Sequence, residues 1–183
     1  MKSPDPKLFL QVHDVLCRFF LAFDQRDWAS MVECLAPQVS IDYASSGREP
    51  PSTMSAQDFV KRRQNAVDGL TKQHSFSNLL IRQKADEGVV SARCNYLILR
   101  FELSQAQSQA HTQNQAQTQN QSQAHTQSQV PAISEENFFH SCGNYEFLLR
   151  DIQGEWKISS IKQNALQSWG NAALHGGSSQ GRK

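Results

Sequence analysis

Apolar side chains at Phe9, Val12, Leu16, Phe19, Phe20 and Phe23 recur at intervals of three and four residues. That is the period of one helix face, so residues 8–23 predict an amphipathic helix with an unusually aromatic inner face. Asp27 is placed to cap a second short helix reaching Leu35, with Pro37 ending it. Val39 to Tyr43 then alternates like a short strand. After the turn-rich Ser45–Pro51, the run Ser55-Ala56-Gln57-Asp58 gives a capping signal for a third helix to about Val67. Beyond it the pattern changes to long strands. His74–Lys84 leads through Asp86-Glu87-Gly88 into Val89–Leu103, and Asn137–Arg150 leads through Asp151-Ile152-Gln153-Gly154 into Glu155–Gln163. Three helices followed by a strongly curved, mostly antiparallel sheet make an α+β cone with one internal pocket, where a substrate would go.

The two halves of the strand region are separated by Ser104–Gln129, in which every second residue from Gln105 onward is Gln, except His111 and His125. Gln109–Gln115 recurs almost unchanged as Gln123–Gln129, the mark of an expanded repeat. With no apolar side chain larger than Ala, the segment cannot offset its ordering entropy, and it reads as a disordered Gln-rich insert over 104–131. Residues 172–183 read as a disordered tail. Without the insert, about 150 residues remain, one ordinary domain spanning 1–171.

Charge and cysteines narrow the function. Eighteen basic against seventeen acidic residues, with no basic block, argue against nucleic acid or a membrane surface as partner. The apolar run Val15–Phe23 is interrupted by Arg18 and reads as neither a signal peptide nor a span. Cys17, Cys34, Cys94 and Cys142 form no metal-type spacing, and are expected to be four buried thiols in a reducing, cytoplasmic setting. No metal cluster, Gly-rich phosphate loop or nucleophile elbow is apparent.

Several short motifs occur in a telling order: Phe23-Asp24-x-x-Asp27-Trp28, Cys34-Leu35-Ala36-Pro37, Ile41-Asp42-Tyr43, Met54-x-Ala56-x-x-Phe59-Val60, Gln73-His74, His140-Ser141-Cys142-Gly143-Asn144, Gly154-x-Trp156-Lys157 and Trp169-Gly170. Taken together they resemble the scytalone dehydratases, hydro-lyases of the wider NTF2-like and SnoaL-like cone fold. The resemblance covers about residues 8–171. It implies a cofactor-independent enzyme, a trimer, and a small cyclic polyketide-type substrate.

The same resemblance implies roles for individual residues. His74 corresponds to the base that removes a proton next to a carbonyl, a task suited to imidazole because it titrates near neutrality. Its alternative is a core histidine bonded to a backbone carbonyl. Asp24 corresponds to a pocket carboxylate that orients a partner or a water, whereas Asp27 is explained as a cap. Tyr43 corresponds to a phenol that helps a water polarise the substrate carbonyl, the alternative being a core ring with its hydroxyl at the rim. Ser141 or Cys142, and above all Asn144, fall at the polar substrate-contact positions. Two departures stand out. Phe23 replaces a second tyrosine, and the place of a second histidine is given to Arg93, expected to pair with Asp24. His140 can supply the missing imidazole if it shares an inward face with Asn144.

The sequence reading is therefore a dehydratase for a hydroxylated cyclic ketone of polyketide or aromatic pigment metabolism. An isomerase or cyclase using the same enolate, and a noncatalytic binding domain, are the alternatives.

Overall fold

Helices first and long strands last is the order found. The computed structural model describes residues 5–47, 50–66, 68–83, 88–102 and 137–174. The chain runs α1 (Pro6–Gln25), α2 (Trp28–Glu33), β1 (Leu35–Asp42), β2 (Ser52–Ser55), α3 (Ala56–Asn65), β3 (Thr71–Gln83), β4 (Val89–Phe101), β5 (Phe139–Ile152) and β6 (Glu155–Gly170). The six strands form one sheet in the order β2-β1-β6-β5-β4-β3. Among the described residues, only β1 and β6 pair in parallel; the other pairings are antiparallel. Among the described residues, no helix is long and apolar enough to cross a membrane.

α1 begins at Asp5, whose side chain accepts from the Lys7 amide, with Pro6 in the first turn where a missing N–H costs nothing. Its buried face is Leu8, Val12, Val15, Leu16, Phe19, Phe20 and Ala22. Phe9, expected on that face, is about one-third exposed, because Leu8 sits one step closer to the stripe's centre and takes the core position. The helix stops at Arg26, which adopts the left-handed conformation at φ 58°, and its amide donates to the carbonyls of Ala22 and Phe23. Arg26 Nη2 then reaches the carbonyls of Asp68 at 2.9 Å and Leu70 at 3.3 Å, tying the end of α1 to the start of β3.

Asp27 caps α2 as expected, accepting from the Ser30 amide, but the helix ends at Glu33 and Pro37 lies inside β1. Pro37 is tolerated because the β1–β6 register is irregular between Leu35 and Ser40, and the β1–β2 pairing starts only at Gln38. Ser55 caps α3 by accepting from the Asp58 amide. The polar strand β2, which carries no readable alternation, was not expected.

β3 changes face partway along. Lys72, His74 and Phe76 point one way, Asn78 adopts φ 54°, and Leu79 and Ile81 then take over that inward role. The extra residue is a bulge between Ser77 and Leu80, and Asn is among the few side chains that enter the left-handed region at low cost. Asn78 is thus exposed rather than sharing a face with His74. The expected turn at Asp151–Gly154 is present, with Gln153 and Gly154 both at positive φ between the paired Ile152 and Glu155. Of the Asp86–Gly88 turn only Gly88 is described, at φ 79°. β6 continues to Gly170, well past Gln163, because its polar last third pairs with Phe139–Gly143 rather than burying apolar side chains of its own.

Cys34 and Cys94 are buried, while Cys17 and Cys142 are half-buried; all four are unpaired. Cys142 falls short of the expected burial because it lies on the outward parity of β5. Burial pushes the Cys94 thiol up to about 12, so it remains a small apolar filler.

The Gln-rich segment lies outside the described residues, as do 175–183; 172–174 form a short 3-10 turn. The residues that flank the Gln-rich segment meet directly. Phe101 and Phe138 form a β-bridge, and the Glu102 amide donates to the Asn137 carbonyl at 2.8 Å. Replacing 104–129 by a short Gly-containing turn is therefore expected to move the melting temperature by no more than about 2–3 °C, since closure entropy grows only logarithmically with loop length. A larger fall in a thermal melt would show that the segment makes stabilising contacts.

Candidate active site

The tie between the end of α1 and the start of β3 brings Asp24, in the last turn of α1, against His74. The two carboxylate oxygens have separate tasks. Asp24 Oδ2 accepts from the His74 backbone amide at 2.7 Å, and Oδ1 lies 2.5 Å from His74 Nδ1. With both oxygens engaged the carboxylate cannot rotate away. Its acceptor character places the imidazole proton on Nδ1 and leaves the Nε2 lone pair for the cavity. The His74 side chain is only 6% exposed. Phe20 stacks on it at 5.6 Å between centroids and 18° between planes, and Phe23 lies against it at 4.9 Å.

Burial pushes the imidazole below its ordinary value. Asp24 opposes the shift, and the charges of Arg100 and Lys72 add to it. His74 is thus a neutral base at pH 7, held in one orientation. The expected alternative of a histidine bonded to a backbone carbonyl is not what the geometry shows.

His74 opens onto a cavity of about 330 Å³. Phe19, Phe20 and Phe23 from α1 form an apolar wall, and Tyr43, following β1, closes another side. Tyr43 is buried, and the Arg63 guanidinium lies over its ring at 5.2 Å. The remaining wall sets polar groups among apolar ones such as Ile98 and Phe139: Tyr96 and Arg100 come from β4, Ser141 and Tyr145 from β5, and Gln163 from β6. Gln163 Nε2 donates to Tyr145 Oη at 3.1 Å, and Arg100 Nη1 donates to Ser141 Oγ at 3.0 Å. Tyr96 Oη is buried and makes no well-formed hydrogen bond among the described residues, although the Gln163 and Ser141 side chains lie near enough to act on it. Burial pushes its phenol upward, so it stays a proton donor across the physiological range.

Three sequence expectations are corrected by strand parity. Arg93 is exposed on the outer face of β4, across from Leu80 and Glu146, and the expected Asp24–Arg93 pair does not form. Asn144 also points outward, accepting from Asn164 Nδ2 at 3.0 Å, whereas Ser141 faces the cavity. His140 shares the parity of Asn144 and hence its outward direction. It packs among Phe101, Phe138 and Trp169, and its Nδ1 accepts from the Arg100 amide at 3.3 Å.

The structure brings Asp24, His74, Phe23, Tyr43 and Ser141 to one site. It adds Tyr96, Arg100, Tyr145 and Gln163, which sequence reasoning passed over. The signal for two of them was available: Val90, Ala92, Cys94, Tyr96, Ile98 and Arg100 alternate strictly along β4.

Gly143 is what allows Tyr96 to lie where it does. A Cβ at this position would stand 2.2 Å from the Asn164 carbonyl oxygen and about 3 Å from the Tyr96 ring and hydroxyl. The backbone contact cannot be relieved by a rotamer change, and it falls beside the bulge between Cys142 and Gly143. Gly143→Ala is expected to destabilise the protein by about 1–3 kcal/mol, the usual range for overpacking. It is also expected to weaken cavity binding by displacing Tyr96. Chemical denaturation checks the first effect, and an unchanged midpoint would contradict it.

Among the described residues, no three His, Cys, Asp or Glu side chains are grouped as metal ligands would be. What the arrangement offers is a fixed neutral imidazole backed by a carboxylate, phenolic donors, and a buried guanidinium around a partly aromatic cavity. Such a set can remove a carbon-bound proton and stabilise the oxygen that then gains charge.

Residues 9–162 match the family described as SnoaL-like domain. Among curated proteins no sequence match is found. Solved structures with the same fold include the Kfla4162 protein from Kribbella flavida, with TM-score 0.68 and 14% identity, covering 93% of this chain and 98% of that one. A provisionally named scytalone dehydratase from Novosphingobium aromaticivorans superposes with TM-score 0.60 at 11% identity, over 89% and 91% of the two chains. A type 2 hexachlorocyclohexane dehydrochlorinase (LinA) superposes with TM-score 0.61 at 12% identity, over 95% of each.

Proposed function

The chain belongs to the SnoaL-like domain family of the NTF2-like fold, and from that premise we propose that it is a dehydratase acting on a hydroxylated cyclic ketone. The observation that carries the proposal is the Asp24–His74 pair, with Nε2 left to face the cavity. Neighbours at 11% and 12% identity carry the fold alone. The names of two of them, a dehydratase and a dehydrochlorinase, both denote eliminations, and an elimination is what a single buried base can perform on such a substrate.

In the proposed reaction, Nε2 takes the proton from the carbon beside the carbonyl, and the C–H electron pair forms an enolate. The Tyr43 and Tyr96 hydroxyls serve as donors to the enolate oxygen, Tyr43 through a water. As the enolate collapses, the bond to the β-hydroxyl breaks. That oxygen takes the proton back from the imidazolium and departs as water, leaving a conjugated ring. Asp24 holds the tautomer throughout and stabilises the transient imidazolium. The aromatic wall of Phe19, Phe20 and Phe23 favours a flat cyclic substrate of polyketide or pigment type. Four unpaired thiols are in keeping with a reducing compartment, and we place the protein in the cytoplasm.

Incubation with a panel of polyhydroxylated tetralones and anthrone-type ketones, followed by mass spectrometry, tests the reading. Loss of one water from a panel member is expected. A new isomer of unchanged mass would replace the lyase by an isomerase, and saturable binding without turnover would replace it by a binding domain.

A further inference from the structure

Phe23 stands between two spaces. The cavity that His74 opens onto shares Phe23, Arg63 and Lys72 with a second cavity of about 290 Å³, which reaches behind the base to Asp24 and on to Trp28 and Leu70. Residues that line both spaces form the partition between them. The two cations are anchored: Lys72 Nζ is 2.5 Å from Asp68 Oδ2, and the Arg63 guanidinium lies over the rings of Tyr43 and Phe59 at 5.2 and 5.0 Å. Phe23 is placed by packing. Its ring lies 4.9 Å from the His74 ring and 6.4 Å from that of Phe19, with Lys72 Nζ 6.0 Å from its centroid. It packs on the core yet stays half-buried, as a ring with open space on two sides must. The first cavity, at about 330 Å³, is at the small end of the ~300–1,000 Å³ usual for ligand sites. Trp28 and Leu70 give the second an apolar surface, and neither borders the first.

We propose that Phe23 sets the size limit of the substrate. Two fused rings are held on the His74 side, and a further ring on the ligand's long axis is refused because the Phe23 ring occupies the place it needs, with the second cavity behind. Overlap of two rings in a packed wall is not relieved cheaply. Removing the phenyl group joins the two spaces, and the room left by a deleted apolar side chain accepts a benzene-sized group. The task given to Phe23 is exclusion, which needs no hydroxyl. The inference rests on the first cavity being the substrate site; it names the substrate's size class, two fused rings rather than three, and leaves the reaction open.

The test measures binding of 2-naphthol and 6-phenyl-2-naphthol to the full chain at pH 7 by fluorescence titration. Wild-type protein is expected to bind 2-naphthol at least about tenfold tighter than the phenyl compound. Phe23→Ala is expected to tighten binding of 6-phenyl-2-naphthol by about tenfold or more, with a smaller change for 2-naphthol. Adding Trp28→Leu to Phe23→Ala is expected to take back about threefold or more of that gain, because Trp28 borders the second cavity and not the first. Should Phe23→Ala fail to fold in a thermal melt, Phe23→Leu, closer in volume to the native residue, is expected to show part of the gain. Equal binding of the two compounds by wild type, no gain for the phenyl compound in a folded Phe23 variant, no binding of either up to about 1 mM, or a gain untouched by Trp28→Leu would each overturn the proposal. The last outcome would place the added ring outside the second cavity. Neither compound is a ketone that can lose water, so the size contrast is read whether or not wild-type protein dehydrates anything, and loss of water from the ketone panel is judged separately.

Discussion

His74→Asn is expected to lower turnover by about two to four orders of magnitude while the protein stays folded, the usual contribution of a positioned general base. Asn is chosen because its side-chain amide can still donate to Asp24 Oδ1, so the carboxylate keeps both of its hydrogen bonds. His74→Ala would leave that oxygen unpaired beside the Phe23 ring and mix a stability loss into the result. The pH profile gives a second readout. Burial holds the imidazole below its ordinary value of about 6.5, with Asp24 opposing and Arg100 and Lys72 reinforcing the shift. The acidic limb of kcat/KM is therefore expected below pH 6.5, and to disappear in His74→Asn. Stability has the same sign. The unfolded chain binds a proton near pH 6.5 that the folded chain refuses, so stability is complete above that pH and declines as pH falls through the folded value. A stable variant with wild-type turnover would remove His74 from the mechanism.

Asp24→Asn is expected to reduce turnover by about two to four orders of magnitude through a different route. The His74 backbone amide requires an acceptor, so the Asn carbonyl oxygen would stay on it and the NH2 group would face Nδ1. A donor at that position forces the proton onto Nε2, and the nitrogen facing the cavity then has no lone pair to accept with. The loss should appear in kcat rather than in KM, because Asp24 sits behind His74 and is not among the cavity-lining residues. Asp24→Glu is expected to recover part of the activity only if the longer arm can still reach both donors. A fall confined to KM would contradict a tautomer-holding role.

Much of the fold was legible because the periods are clean. The stripe from Val12 to Phe23 marked α1, the strict alternation of β4 and β5 marked the sheet, and Asp27 and Ser55 marked helix starts that the structure places one residue later. What stayed hidden depends on partners distant in sequence. The bulge at Asn78, the polar end of β6 and the short β2 are set by pairing with other strands, which leaves no local pattern. The site was legible only in part for a related reason. Asp24 and His74 were each picked out, but Asp24 was given Arg93 as its partner. Side chains on a strand alternate with period two, so an offset of one residue moves a candidate through the sheet to its other face. Arg93 and Asn144 were lost that way, while Arg100 and Tyr96, on the inward parity of β4, were passed over.

The central claim is that the Asp24-held imidazole removes a carbon-bound proton inside the cavity. The most direct measurement follows deuterium uptake from D2O at the carbon beside the carbonyl of 2-tetralone by proton NMR, which needs no knowledge of the natural substrate. Wild-type protein is expected to accelerate exchange over the buffer rate, and His74→Asn and Asp24→Asn to lose about a hundredfold or more of that acceleration. Exchange in folded His74→Asn as fast as in wild type would contradict the account.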